Sequence, residues 1–216
     1  MGEAELLPDR NELMIHAHFV FYGNFATPAL AEQLRAETED LWNEPRGIAV
    51  IGGRRTTVRF AISAECNPGL DEYSVLSNTD PRANFFRIED YSEINISFVD
   101  GLGCNTGYFF LENLYPGSTT AAHEFGHTLG LDHPQDMDWR GRGTPGIMCA
   151  RGTLVDPQFQ YDSAKPAGVT GGTMHPMHRR VRQRDIDDLR LDRLRFANGR
   201  AILGAFSNIY HWSHQR

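Results

Sequence analysis

The amino-acid sequence predicts a single α+β domain of two unequal lobes, residues 1–133 and 134–216. Hydrophobic residues recur with strand and helix periods in alternation up to about residue 133, and Gly and Pro then dominate as far as Arg180. A length of 216 residues is enough for one contiguous core. It falls short of two independent domains of about 150 residues each.

Residues 13–22 open the series as a strand, because Ile15, Ala17, Phe19 and Phe21 alternate with His16, His18, Val20 and Tyr22. Thr27 and Pro28 follow as an N-cap and first helical residue, and Leu30, Leu34, Thr38 and Leu41 recur at helical spacing until Pro45. Short strands are expected at 48–51, at 57–63 with Val58, Phe60 and Ile62 inward, at 94–99 and at 107–111. Residues 66–92, with Pro68, Gly69 and Pro81, read as a long loop. After a second helix, residues 134–174 should be irregular. Ile186, Leu189 and Leu194 among alternating Asp and Arg then predict a closing amphipathic helix over 183–196.

The 40% hydrophobic and 23% charged residues exclude a disordered, collagenous or coiled-coil chain. A net charge of -7 leaves no excess of Lys and Arg to displace phosphate counterions, so nucleic acid is not an expected partner. The basic run 179–184 is balanced by Asp185, Asp187 and Asp188 and reads as a solvated helix start. No apolar run approaches the ~20 residues that cross a bilayer. The first ten residues lack the apolar region of a signal peptide. Cys66, Cys104 and Cys149 have no C-x-x-C spacing; they allow one bridge at most, Cys66 to Cys104, or three structural thiols. A monomer is expected.

The chemistry is concentrated in His123-Glu124-Phe125-Gly126-His127-Thr128-Leu129-Gly130-Leu131-Asp132-His133, an H-E-x-x-H-x-x-G-x-x-H pattern. On a helix His123 and His127 lie one above the other, so both imidazoles reach one ion. Glu124 is turned about 100° from His123, away from the ion but within reach of a water on it. A continuing helix would carry His133 about 15 Å along the axis from His123. Gly130 can take the left-handed conformation that ends a helix, letting residues 131–133 turn back with His133 as third ligand. Three neutral imidazoles and an open position describe a catalytic zinc. Zinc acidifies its water, Glu124 takes the proton as general base, and the hydroxide attacks a carbonyl polarised by the same ion.

With these residues the chain resembles the metzincin clan of zinc endopeptidases, whose extended motif also requires a methionine-containing turn downstream. Gly146-Ile147-Met148-Cys149 fits that turn, with Met148 beneath the zinc. The resemblance implies a twisted mixed β-sheet with a backing helix and an active-site helix. Below them it implies a small irregular lobe holding the Met-turn and a C-terminal helix. Within the clan the chain looks most like the matrix metalloproteinases, although it has no cysteine-switch propeptide and no His-Gly-Asp run for a structural zinc loop. The stretch from His133 to Met148 is also longer. Ala150 stands where astacins and serralysins carry a tyrosine, and the glycine-rich calcium repeats of serralysins are absent. Tyr108, Tyr115 and Tyr161 are candidate oxyanion donors or packed aromatics.

A protein or peptide substrate is expected to pair as an extended strand with Gly107, Tyr108, Phe109, Phe110 and Leu111, read as a sheet edge. In metzincins the pocket for the residue after the scissile bond is walled by the segment following the Met-turn. Here that segment supplies Leu154, Val155, Phe159, Tyr161, Val169, Met174 and Met177, so an apolar preference is expected. Arg151 or Arg179 turned into the pocket would instead select an acidic side chain. His175 and His178 are expected to flank this pocket, and His16 and His18 to be polar strand positions without an acidic companion. The turn at 100–105 is a weak candidate for calcium. The function expected is a secreted or extracellular zinc endopeptidase whose leader lies outside this chain. The alternatives are a toxin or injected effector that cuts one target protein, or a zinc-fold binding module without turnover.

Overall fold

The computed structural model describes residues 1–215. In chain order the elements are β1 (Gly2–Leu7), β2 (Glu12–Tyr22), α1 (Pro28–Asn43), β3 (Ile48–Ile51), β4 (Arg54–Cys66), α2 (Glu72–Leu76), β5 (Ala83–Glu89), β6 (Phe98–Val99), β7 (Thr106–Phe110), α3 (Thr120–Thr128), α4 (Gln183–Asp188) and β8 (Arg200–Leu203). The strands form one mixed sheet in the order β3-β4-β2-β5-β7-β6, with β1 also paired to β2 and β8 paired to β1. The molecule is thus of mixed α+β class. β2 is long enough to take two neighbours on one side, β1 through Glu12 to His16 and β5 through His18 to Tyr22, while β4 runs parallel along the other.

The alternation in β2 places Leu13, Ile15, Ala17, Phe19 and Phe21 in the main core, against Leu34 and Trp42 of α1 and Phe125 of α3. Thr27 Oγ1 caps α1 by accepting from the Leu30 amide at 3.2 Å. Trp42 is fully buried, and its indole Nε1 donates to the Ala122 carbonyl at 3.0 Å, so the backing helix holds the backbone of α3 directly. Removing such a side chain would cost about 3–5 kcal/mol.

Several expectations are corrected. Residues 66–92 are not one loop, for they contain α2 and the wholly buried β5. A strand covered on both faces has no period-2 signal, and Asn84, Arg87 and Glu89 interrupt its apolar run. The polar residues are satisfied internally: Arg87 pairs with Glu89 at 2.5 Å, and Asn84 donates to the Met1 carbonyl at 2.9 Å. The strand expected at 94–99 is regular only over Phe98–Val99. The closing helix stops at Asp188, because Arg190 takes a left-handed φ of 50° and Leu191–Arg193 forms a single 3-10 turn. The second lobe does not keep the chain's end: β8 returns to pair antiparallel with β1 and covers an edge that would otherwise be bare. All three cysteines are free thiols, so Cys66 and Cys104 are not bridged. Among the described residues no helix is long and apolar enough to cross a membrane.

The residues expected to form the sheet edge are interior. β7 pairs with β5 on one side and with β6 on the other, Phe98 opposite Tyr108 and Val99 opposite Gly107. The Phe110 amide is taken by Ser97 Oγ at 3.0 Å, and Leu111 already belongs to a 3-10 turn. The edge is β6. Its approach depends on Gly107, where a Cβ would collide with the Phe98 carbonyl oxygen and stand 3.1 Å from Val99 Cα. Gly107→Ala should therefore destabilise the fold by about 1–3 kcal/mol. Hydrogen exchange should show the loss of protection concentrated at 97–100, and uniform loss across the sheet would contradict this assignment.

Candidate metal centre

Helix α3 begins at an unusual residue. Thr119 sits at φ 60°, a left-handed conformation that a β-branched side chain adopts only at a cost, and its hydroxyl donates to the Pro176 carbonyl at 2.9 Å. The helix ends where the glycine allows it. Gly130 has φ 98°, and the Leu131 amide turns back to the Gly126 carbonyl at 3.0 Å. That turn carries His133 back beside the helix.

The three imidazoles converge. Their Nε2 atoms lie 3.2 Å apart for His123 and His127, and 3.1 Å from each of these to His133. Carbonyl oxygens only accept, so His123 Nδ1 must carry the proton given to Ile147 O at 2.7 Å, and His127 Nδ1 that given to Leu131 O at 2.7 Å. Both Nε2 atoms are then bare lone pairs facing one another, an arrangement repulsive without a cation. Burial, followed by the charge of Arg179, holds His123 well below its usual range; burial also lowers His127 and His133. Among the described residues these three form the group able to hold a metal ion. The set fits zinc, whose nitrogen ligands at about 2.0–2.1 Å in a tetrahedral site would stand about 3.3 Å apart.

Met148 and Ile147 lie under α3. Met148 is 4% exposed, and a Cβ at Gly126 would strike its sulfur and stand 3.2 Å from Trp42 Cζ2. The motif's unassigned glycine is therefore the point where helix, methionine and backing tryptophan meet.

Glu124 shares an open cleft of about 470 Å³ with the three histidines. The chain from Ile96 to Val99, with the Val99 amide bearing on Glu124, and Arg151, Pro176 and Arg179 line it too. Burial pushes the Glu124 carboxyl up to about 8, against the pull of Arg179 and then Arg151. Arg179 is itself buried, which brings its guanidinium down to about 10. In the sequence both arginines stand only as exceptions to an apolar pocket. The signal that would have promoted them is position, in the segment that must close over the helix start.

The remaining expectations divide. The apolar residues meant to wall the pocket do not line the cleft; Val155 and Met174 pack with Trp139 and Cys149 in a separate small core, with Phe159 against it. Tyr108, Tyr115 and Tyr161 do not line it either. Tyr108 is buried and donates to Tyr91 O at 2.7 Å, while Tyr115 and Tyr161 surround His175. His175 and His178 flank the cleft through the Pro176 and Arg179 between and beside them. His16 and His18 do have acidic companions, Glu5 at 3.0 Å and Glu65 at 3.8 Å. The oxygens of the 100–105 turn are in use: Asp100 accepts from Thr106 at 2.5 Å and contacts His211 at 3.0 Å, and Asn105 Oδ1 accepts from the Ser207 and Asn208 amides.

No family model matches the chain. Over 62 residues it is 42% identical to Serralysin G of Dickeya chrysanthemi, a stretch that takes in 29% of this chain and 13% of that protein.

Gly126→Ala should lower stability by about 1–3 kcal/mol. In a Met148→Ala background the same change should cost less, because the cavity left by the sulfur receives the new methyl. Denaturant titration of the four proteins measures this coupling, and strict additivity would show that the two residues do not meet.

Proposed function

We propose that this chain is a zinc-dependent endopeptidase of metzincin type, with His123, His127 and His133 as metal ligands, Glu124 as general base and Met148 as the Met-turn residue. The observation that carries the reading is the pair of imidazole lone pairs fixed face to face beside a buried carboxylate. The similarity to Serralysin G supports the clan and lends nothing particular to a matrix metalloproteinase subfamily.

Held by the three imidazoles, zinc supplies Lewis acidity and an acidified water. The protein's own groups do the rest. Ile147 and Leu131 fix the ring orientation through their carbonyls, so the ligand nitrogens need no rearrangement. Glu124, buried in the cleft, accepts a proton at a carboxylate oxygen and returns it to the departing amine. A peptide extended along the outer edge of β6 would lie beside a strand that has only β7 as sheet neighbour and whose Val99 amide bears on Glu124. Glu124 in the cleft favours turnover over a binding module. The reading places the reaction outside the producing cell, on a protein or peptide, by a monomer.

Metal analysis and a chelator-sensitive cleavage assay test it together. His127→Ala should lose the stoichiometric zinc, whereas Glu124→Gln should keep metal and fold while cleaving at least about 100-fold more slowly. A full equivalent of zinc in His127→Ala, or wild-type cleavage by Glu124→Gln, would overturn these assignments. Met148→Leu should keep its zinc and lose stability more than rate; loss of metal there would make Met148 a ligand.

A further inference from the structure

We propose that Arg179, assisted by Arg151, selects an acidic side chain in the residue that follows the scissile bond. The inference rests on the peptidase reading and gives that site a substrate class. Arg179 is 4% exposed, and its Nε is buried with no hydrogen-bond partner. A buried cation with no anion at contact distance is costly, so a fold that keeps one lining an open cleft has placed it for a ligand.

The backbone around Arg179 is fixed on three sides. Its amide donates to Pro176 O at 3.0 Å, and that same carbonyl receives the Thr119 hydroxyl at the start of the helix. The next amide, Arg180, donates to Pro145 O at 3.0 Å, at the threshold of the Met-turn. The backbone that carries the guanidinium is thereby tied to the two segments that flank the ligands.

The departing amine takes its proton from Glu124, so the residue bearing that amine docks on the Glu124 side of the metal centre. Arg179 is tied through Pro176 to Thr119, at the start of the helix that carries Glu124, and Arg151 shares its cleft. Both line the cleft there, with Thr120 and Pro176 beside them. A substrate carboxylate would meet Nε and a terminal nitrogen of Arg179 in the two-pronged geometry that a planar guanidinium offers. An apolar side chain would leave the charge buried and unpaired.

The experiment begins with cleavage-site mapping of a peptide library by the zinc-loaded chain. It continues with matched peptides carrying Asp, Asn or Leu after the scissile bond. Asp and Glu should dominate that position, with kcat/KM at least tenfold above the Asn and Leu peptides. Arg179→Gln should bring the Asp to Asn ratio close to one while still cutting the Leu peptide, and Arg179→Lys should keep part of the preference. Binding of the same peptides to Glu124→Gln and to Glu124→Gln/Arg179→Gln, read by fluorescence anisotropy, gives a measure that needs no turnover. The Asp peptide should bind at least tenfold tighter than the Asn peptide to the first and equally to the second.

A dominant apolar residue in the library, or an Arg179→Gln protein that slows every peptide alike, would overturn the inference and leave the peptidase reading standing. If nothing is cleaved yet the Asp peptide binds tightly only when Arg179 is present, the peptidase reading fails and the acid-selecting pocket stands. Should Arg179→Gln not fold, Arg151→Gln at the exposed rim must lower the Asp to Asn ratio at least threefold, and an unchanged ratio would overturn the inference.

Discussion

Because Ile147 and Leu131 each offer a carbonyl to one imidazole, the Nε2 atoms of His123 and His127 are turned toward each other with nothing but lone pairs between them. Much of the surrounding structure serves to hold that unfavourable meeting. Leu131 reaches its place only through the left-handed turn at Gly130, and Ile147 only because Met148 packs under Gly126. Trp42 closes the assembly from above by gripping the Ala122 carbonyl, so displacement of α3 by one turn would break every one of these contacts.

A second constraint is electrostatic. Glu124 and Arg179 are both buried at the same cleft, yet they are not an ion pair at contact distance, and burial pushes each toward neutrality. An acid and a base kept close but apart retain their affinity for other partners, a proton for one and an anion for the other. Had they closed into a salt bridge, each would have spent that affinity on its neighbour.

The sequence made the chemistry more legible than the scaffold. Fixed offsets along α3 announce His123, Glu124 and His127, and Gly130 explains how His133 joins them, because helix geometry converts spacing into position. The strands β1, β5 and β8 were hidden for a common reason: their stability comes from neighbours far along the chain. β5 is covered on both faces and so lacks alternation, while β8 has four residues and exists to finish β1. The strand at Thr106–Phe110 was found but misplaced in the sheet, since nothing in Gly107 or Tyr108 reveals that Phe98 and Val99 will lie beside them. Arg179 was visible only as an exception, because burial of a charge depends on a fold around it.

The brevity of β6 has a consequence for the kind of substrate that can be held. Of the two residues of β6 only Val99 turns its backbone away from β7, and the Val99 amide already bears on Glu124, so the edge offers a peptide about one or two backbone hydrogen bonds, each worth roughly 1 kcal/mol net. Straightening a loose chain costs about 1–2 kcal/mol per residue, so this short rail cannot by itself tame a disordered segment. A stretch that arrives already taut, clamped at both ends by the folded protein it belongs to, brings no such debt. The short edge therefore suits a segment that is already extended better than one that must first be straightened.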